Sequence, residues 1–314
     1  MHSAGIDFGG TSTKLALIED DGRVLAFRRV AGRPSGSLEV VFGVLAAALA
    51  RMAAEARRDL PPPGGVGIGV AGIVDPDAGR VEVAGALDLL GDVRAVAERA
   101  FGGPVAIESD SNAGALADLH FGVARGTDDL LYLSWGTGIG AGLVVGGRLV
   151  RSRGHAIGEI GHTVVAPDSA RVCYCGCRGC LEVEAGGRAI AAAGSAALGR
   201  EATVLQVAQA ARDGHGPCAG LLAAAAGQVA RGIAPALVLL NPQAVVLGGG
   251  VSRILELPAV RAAFDRELER HVPAFARRGL AVSLSAFGDM AGAVGAALLP
   301  RHGEEERGHG RPGA

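Results

Sequence analysis

Four of the five cysteines in this chain fall in one short stretch, CYCGCRGCLE, running from Cys173 to Glu182, and the motif GEIGH just upstream ends in His162. Coincidence, a disulfide knot or a metal site could each explain the clustering. Thiolates and a neutral imidazole are the ligands zinc prefers, four of them in a tetrahedron. His162, Cys173, Cys175 and Cys180 give that number and leave Cys177 spare. Adjacent Cys-x-Cys pairs are poorly placed to bridge each other, and Gly176 and Gly179 let the chain fold tightly around an ion. A cytosolic chain also keeps its thiols reduced. The pattern therefore predicts a structural Zn²⁺ site, closed by four ligands with no open position for chemistry. Glu159 and Glu182 flank it. They are either plain surface charges or carboxylates that the metal aims into a pocket, where they would accept hydrogen bonds from a polyhydroxylated ligand. Cys218 stands apart and reads as a small buried apolar residue.

A second carboxylate sits in ESDSNAGALADLHFG, where a strand gives way to a helix. Asp110 there could cap the helix, or face a cleft as a general base. Phosphoryl transfer to an alcohol needs such a base near the attacking hydroxyl, in line with the donor phosphate. Two Gly-rich turns, in DFGGTST and WGTGIGAG, lack the lysine of a Walker loop and the helix that follows a dinucleotide fingerprint. Each is the tip of an antiparallel ribbon. As ordinary hairpins they need no ligand; as phosphate loops they would offer backbone N–H groups and Thr hydroxyls, since glycine lets the backbone come close. Two such tips, with a third Gly-rich loop in LGGG after a strand, favour a nucleotide triphosphate held between facing ribbons.

The elements that position these residues follow one grammar used twice. Gly5 to Arg29 reads strand, Gly-Gly-Thr turn, strand, Asp-Gly turn, strand. Leu130 to Ser152 repeats that order, with Thr11 and Thr137 in matching places, which suggests two similar domains. Between and after these ribbons the periodicity predicts helices over Ser37–Arg58, Asp92–Phe101 and Asn112–His120. It also predicts Ala-rich helices after the cysteines up to about Leu240, a helix from about Arg253 to Val272, and a closing helix over Met290–Leu299. Strands are predicted at VGIGVAG, PVAIES, QAVVLG and LAVSLSAFG. Alternating strands and helices define an α/β chain.

Length and charge narrow the function classes. The 314 residues suffice for one large or two ordinary domains. Charged residues make up 20% and the net charge is −2, so no broad basic surface invites nucleic acid or anionic lipid. No run of eighteen apolar residues is evident and the N-terminus lacks signal-peptide features. A cytoplasmic location is expected.

Taken in order, DFGGTSTK, SDSN, GTGIGAG, GEIGH, CYCGCRGCLE and NPQAVVLGGG resemble the ROK family (repressors, open reading frames and sugar kinases), whose familiar members are bacterial ATP-dependent glucokinases. The similarity runs from about Gly5 to Leu299. It implies an α/β, actin-like ATPase (ribonuclease H-like) fold with the active site between two domains: 1–118 plus about 290–314, and 119–289. It implies a hexose kinase using ATP with Mg²⁺, glucose at its 6-hydroxyl being the leading acceptor, with Asp110 as base. Gly72, Ser109, Asp110, Glu159, His162 and Glu182 take sugar-contacting positions, and His162 also ligates zinc. Asp7, Gly9, Gly10, Thr11 and Thr13 fall in the first ATP segment, Asp7 at the position associated with Mg²⁺. Gly136, Thr137 and Gly138 form the second phosphate loop, and Gly248, Gly249 and Gly250 the adenosine loop.

The chain departs from the family pattern at Ser109, where family kinases carry Asn, whose amide both donates and accepts. VEVAGALDLLGD lacks the Asn and Trp of glucokinase sugar loops, and Cys177 is an extra thiol. The implied partners are sugar and ATP in a homodimer or higher homo-oligomer, with no nucleic acid and no membrane. Another hexose or N-acetylhexosamine as acceptor, polyphosphate as donor, and a sugar-responsive regulator are the alternatives. The ribbon starting at Gly5 leaves no room ahead of it for a helix-turn-helix.

Overall fold

The computed structural model describes residues 2–9, 11–30, 36–56, 65–83 and 90–301. By internal contacts the chain forms two units, one of Met1–Gly126, Leu149–Ile157 and Ser285–Ala314, the other of Thr127–Arg148 and Gly158–Leu284. The division implied by the sequence differs in detail: residues 119–126, Leu149–Ile157 and 285–289 all belong to the first unit.

The first unit opens with the expected ribbon: β1 (His2–Phe8), β2 (Thr13–Glu19) and β3 (Val24–Val30). Helix α1 (Leu38–Ala56) follows, one face burying Val41, Phe42, Leu45, Ala48, Leu49 and Met52 at helical spacing. Arg57, Arg58, residues 84–89 of the expected sugar loop, and Gly10 lie outside the described residues. Next come β4 (Val66–Val70), β5 (Ile73–Asp75), β6 (Arg80–Val83), β7 (Gly91–Asp92), α2 (Val93–Phe101), β8 (Val105–Ser109) and α3 (Asp110–Phe121). The sheet order is β3-β2-β1-β4-β8, with β1, β4 and β8 parallel. Parallel strands end on one edge, and ligands in such sheets gather beyond the carboxyl ends. In register, Asp7 lies beside Gly69 and Gly69 beside Glu108. The sheet thus sets Asp7 and the start of α3 along one edge.

The second unit repeats the plan with β9 (Leu130–Trp135), β10 (Ile139–Val145) and β11 (Arg148–Leu149). Helices α4 (Leu181–Ala185), α5 (Gly187–Leu198), α6 (Val204–Arg212) and α7 (Gly216–Leu240) follow, then β12 (Ala244–Gly248), α8 (Pro258–His271), α9 (Ala274–Arg277) and β13 (Ala281–Leu284). Its order, β11-β10-β9-β12-β13, again places two parallel strands beside an antiparallel ribbon. The helix expected from Arg253 instead starts at Pro258, which suits a first helical turn; a short 3₁₀ turn, Ser252–Glu256, precedes it.

Among the described residues, helix α7 alone is apolar enough by length and composition to cross a membrane, although Gln228 and Arg231 interrupt its apolar run. Its buried residues, among them Leu222, Val229, Ile233 and Leu237, belong to the core of the second unit. That is the behaviour of a central core helix.

The chain returns to the first unit for α10 (Ala291–Ala296). This helix lies backbone-to-backbone on its neighbours, and glycine makes that possible. A Cβ at Gly5 would fall 1.9 Å from the Ala293 carbonyl oxygen, one at Gly67 1.6 Å from that of Ala296, and one at Gly295 1.6 Å from that of Ala113. So β1, β4 and α3 all touch α10 without intervening side chains. Gly67→Ala should therefore cost about 1–3 kcal/mol through overpacking, read as a lower melting temperature; an unchanged melting curve would refute the close approach.

Candidate active site and metal centre

In the first unit the decisive local detail is which residue caps α3. Ser109 does: its hydroxyl accepts the Asn112 N–H at 3.2 Å. The helix consequently begins at Asp110, two residues before the expected start, and the Asp110 carboxylate is not spent on the cap. The Ser111 hydroxyl donates to Asp110 Oδ1 at 3.2 Å. Burial and the charge of Asp7 push Asp110 up to about 6, with Lys14 and Ser111 pulling the other way. A carboxyl poised there is a competent base near neutral pH.

Asp7 sits opposite Lys14 in the first hairpin. The Lys14 ammonium reaches Asp7 Oδ2 at 2.8 Å and Asp289 Oδ1 at 3.2 Å; Asp289 also pairs with Arg29. Burial opposes the Lys14 charge, but the two carboxylates outweigh it and hold its pKa above the ordinary lysine value. Asp7 Oδ1 is buried and has no hydrogen-bond partner among the described residues. A buried carboxylate oxygen without a donor is costly, and a hard cation such as Mg²⁺ takes ligands of this kind. Of the other first-unit candidates, Thr11 is exposed, Thr13 is buried at the start of β2, and Gly72 follows β4 with φ of 149°.

In the second unit three Gly-rich segments are knitted together. The Gly136 N–H donates to the Gly138 carbonyl, while the Gly136 and Thr137 carbonyls accept from the Gly187 and Arg188 N–H groups. The Val251 N–H, just beyond Gly248, Gly249 and Gly250, donates to the Trp135 carbonyl. Glu182 joins this set: its Oε2 accepts the Ile139 N–H at 3.0 Å, and a Cβ on Gly138 would fall 2.3 Å from that oxygen. One oxygen of Glu182 therefore braces the Gly136–Thr137–Gly138 turn.

The ligand atoms of His162, Cys173, Cys175 and Cys180 all lie within 4.8 Å of one another. Tetrahedral bonds of about 2.3 Å to sulfur and 2.0 Å to nitrogen would set S···S edges near 3.8 Å and S···N edges near 3.6 Å. Cys175 and Cys180 stand 3.7 Å apart, and Cys173 Sγ is 3.4 Å from His162 Nδ1. The residues fit zinc. Hydrogen bonds from Val165 to Gly179 and from Leu181 to Thr163 close the segment around them.

The other ring nitrogen, His162 Nε2, lies 2.9 Å from the Tyr174 hydroxyl and 3.5 Å from Glu159 Oε2. A polar partner on the far nitrogen is what fixes a metal-bound imidazole. Burial raises the Glu159 carboxyl, His162 opposing and Glu182 adding to the rise. Burial first, then Glu182 and Glu159, push Tyr174 up to about 12. Glu159, His162, Tyr174 and Glu182 thus form one polar cluster beside the thiols.

Sequence reasoning did not single out Lys14, Asp289, Glu108, Arg151 or Tyr174. Lys14 was recoverable, because a hairpin of that length pairs it with Asp7. Asp289 and Arg151 carry no local signal, being joined to their partners only by the fold.

The chain matches the ROK family over residues 3–302. It belongs to that family. A glucokinase of Streptomyces coelicolor is 30% identical over 95% of this chain and 96% of its own length. An N-acetylmannosamine kinase of Salmonella typhi is 31% identical over 95% of this chain and 98% of its own. A xylose repressor of Caldicellulosiruptor bescii is 33% identical, but the match covers 62% of this chain and about half, 52%, of the repressor. Among solved structures, a ROK glucokinase from Streptomyces griseus in complex with glucose and AMPPNP superposes with a TM-score of 0.84, at 32% identity over 96% of this chain and all of that one. The fold is the actin-like ATPase fold of these proteins.

The Asp110 environment has a measurable consequence for stability. Its carboxyl titrates near 6 when folded against an ordinary value of 3.8, so the folded state holds that proton more tightly. The associated stabilisation is complete below about pH 4 and is lost as pH rises through 6. Asp110→Asn should then be more stable than the native chain at pH 8 by roughly 1–3 kcal/mol, with the difference vanishing near pH 4. Denaturant titrations at the two pH values test this; no gain at pH 8 would contradict it.

Proposed function

We propose that this chain is a sugar kinase that transfers the γ-phosphoryl group of Mg-ATP to a hexose hydroxyl, with the 6-hydroxyl of glucose as the first acceptor to test. The observation that carries the reading is the division of labour at α3: Ser109 caps the helix and leaves Asp110 uncapped, with a carboxyl raised to about 6. Such a group takes the proton from an alcohol as it attacks phosphorus. Whole-length similarity to kinases, against half-length similarity to a repressor, supports the same reading.

In this proposal Gly9, Gly10, Thr11 and Thr13 serve the first phosphate loop. Gly136, Thr137 and Gly138 serve the second, and Gly248–Gly250 the adenosine. Mg²⁺ bound with the nucleotide neutralises phosphate charge, and Asp7 would help to hold it. Gly72, Glu159, His162 and Glu182 contact the sugar. Glu182 has one oxygen left for that task after bracing Ile139. Ser109 is engaged as a cap, so its position offers less to a sugar than the family Asn would. Acceptors should therefore be compared across glucose, other hexoses, and N-acetylmannosamine, the sugar in the name of the Salmonella relative. His162, Cys173, Cys175 and Cys180 would hold a structural Zn²⁺ that fixes the position of His162. A cytoplasmic homo-oligomer completes the reading.

Asp110→Asn should lower kcat by about 10²–10⁴-fold while leaving metal content unchanged; near-native turnover in an ADP-release assay would remove the base assignment. Because the base works only when ionised, native kcat/KM should fall below pH of about 6, and a profile flat to pH 5 would contradict this. Cys175→Ser should lose zinc by elemental analysis and weaken sugar binding. Native protein purified without any transition metal would end the zinc reading.

A further inference from the structure

Glu108 is a buried carboxylate, 3% exposed, at the end of β8 immediately before the capping serine. Its two oxygens are used differently. Oε1 accepts the Ser109 backbone N–H at 2.9 Å and the Asn112 side-chain amide at 3.1 Å. Those two donors lie on either side of Asp110 in the chain, so a single oxygen ties together the backbone just before Asp110 and the first turn just after it. Oε2 accepts Arg151 Nη2 at 3.0 Å and Nε at 3.3 Å. Arg151 comes from Leu149–Ile157, the segment that joins the first unit from elsewhere in the sequence. The same segment places His155, with φ of 55°, 3.7 Å from Asp75.

We propose that Glu108 is the positioning residue for Asp110: its Oε1 holds residues 109 and 112 in one geometry, and Arg151, paired with its Oε2, holds the buried carboxylate in that orientation. This deepens the kinase reading and rests on it. The chemistry calls for a carboxylate specifically. Four N–H groups converge on this side chain, and only an ionised carboxyl accepts on both oxygens without offering a donor. A Gln would turn an amide N–H₂ towards either Arg151 or the Ser109 and Asn112 donors. A buried anion without its cation is strongly destabilising, which explains why Arg151 is drawn in from a distant segment. Glu108 touches neither nucleotide nor sugar in this account; it acts through Asp110.

The test uses the full-length protein, Mg-ATP and whichever sugar of the panel turns over fastest. Glu108→Ala should lower kcat by about ten- to a hundredfold, the reach of an ångström-scale misplacement of a catalytic group, while the KM for ATP stays within about twofold of native. In the Asp110→Asn background, adding Glu108→Ala should cost no further turnover, since the group being positioned is already gone. Arg151→Lys, which keeps a cation on Oε2, should retain most of the native kcat. A purely structural role would instead give losses that multiply in the double variant. Multiplying losses, or native kcat in Glu108→Ala, would overturn the proposal. If Glu108→Ala does not fold, Asn112→Ala, which removes one of the two groups on Oε1, enters the same comparison under the same criteria. The two readings fail separately. Native turnover in Asp110→Asn removes the base itself, whereas its collapse beside native turnover in Glu108→Ala removes only the positioning role.

Discussion

The contact on which the first unit depends is made by main chain, not by side chains. Helix α10 lies against Gly5 of β1 and Gly67 of β4, and its own Gly295 lies against the Ala113 carbonyl of α3. No residue with a Cβ fits at those three points without moving one of the partners. Because the interface has no flexible side chains to absorb a shift, α3 is placed as rigidly as the sheet itself. The same seating brings Gly292 against the Asp7 carboxyl group, where a Cβ would stand 2.8 Å from Cγ. The positions of Asp7 and Asp110 are thus set by one tightly packed helix.

On that frame charge is arranged at some cost to stability. Asp110 is carried in surroundings that favour its protonated form, while Lys14 is shared between Asp7 and Asp289, so each cation or anion is partly offset by a neighbour. Groups with displaced pKa values concentrate where chemistry is done. The second unit shows the other way of fixing acids. Glu182 is locked by a backbone N–H, and Glu159 by the imidazole whose far side faces thiols. Neither device needs a large apolar core around it.

Much of this was legible in the sequence, and the legible part was local. Gly-Gly-Thr and Gly-Thr-Gly between alternating apolar runs give away the ribbons because turn chemistry is written in the turn itself. The Cys₃His cluster is legible for a similar reason, three of its members lying within eight residues. The capping by Ser109 was not legible, since it depends on where α3 starts, and the periodicity set that start two residues late, at Asn112. Pairings such as Arg151 with Glu108, Lys14 with Asp289, and Asp118 with Ser285 join residues far apart in sequence. Nothing in either partner's neighbourhood announces the other. The glycines under α10 were equally silent, for in a strand a glycine resembles any small residue until a backbone is seen to press on it.

Asp118, fully buried at the end of α3, accepts the Ser285 hydroxyl and the Ala286 N–H, gathering the chain where it re-enters the first unit. That re-entry has a consequence for biogenesis. As the ribosome emits the polypeptide, β1, β4 and α3 emerge early, but the helix that covers their glycines comes some 170 residues after α3. Until then the nascent chain carries an uncovered glycine-lined face, and Asp118 lacks the Ser285 and Ala286 donors. The unit that carries Asp110 is first to be made and last to be finished.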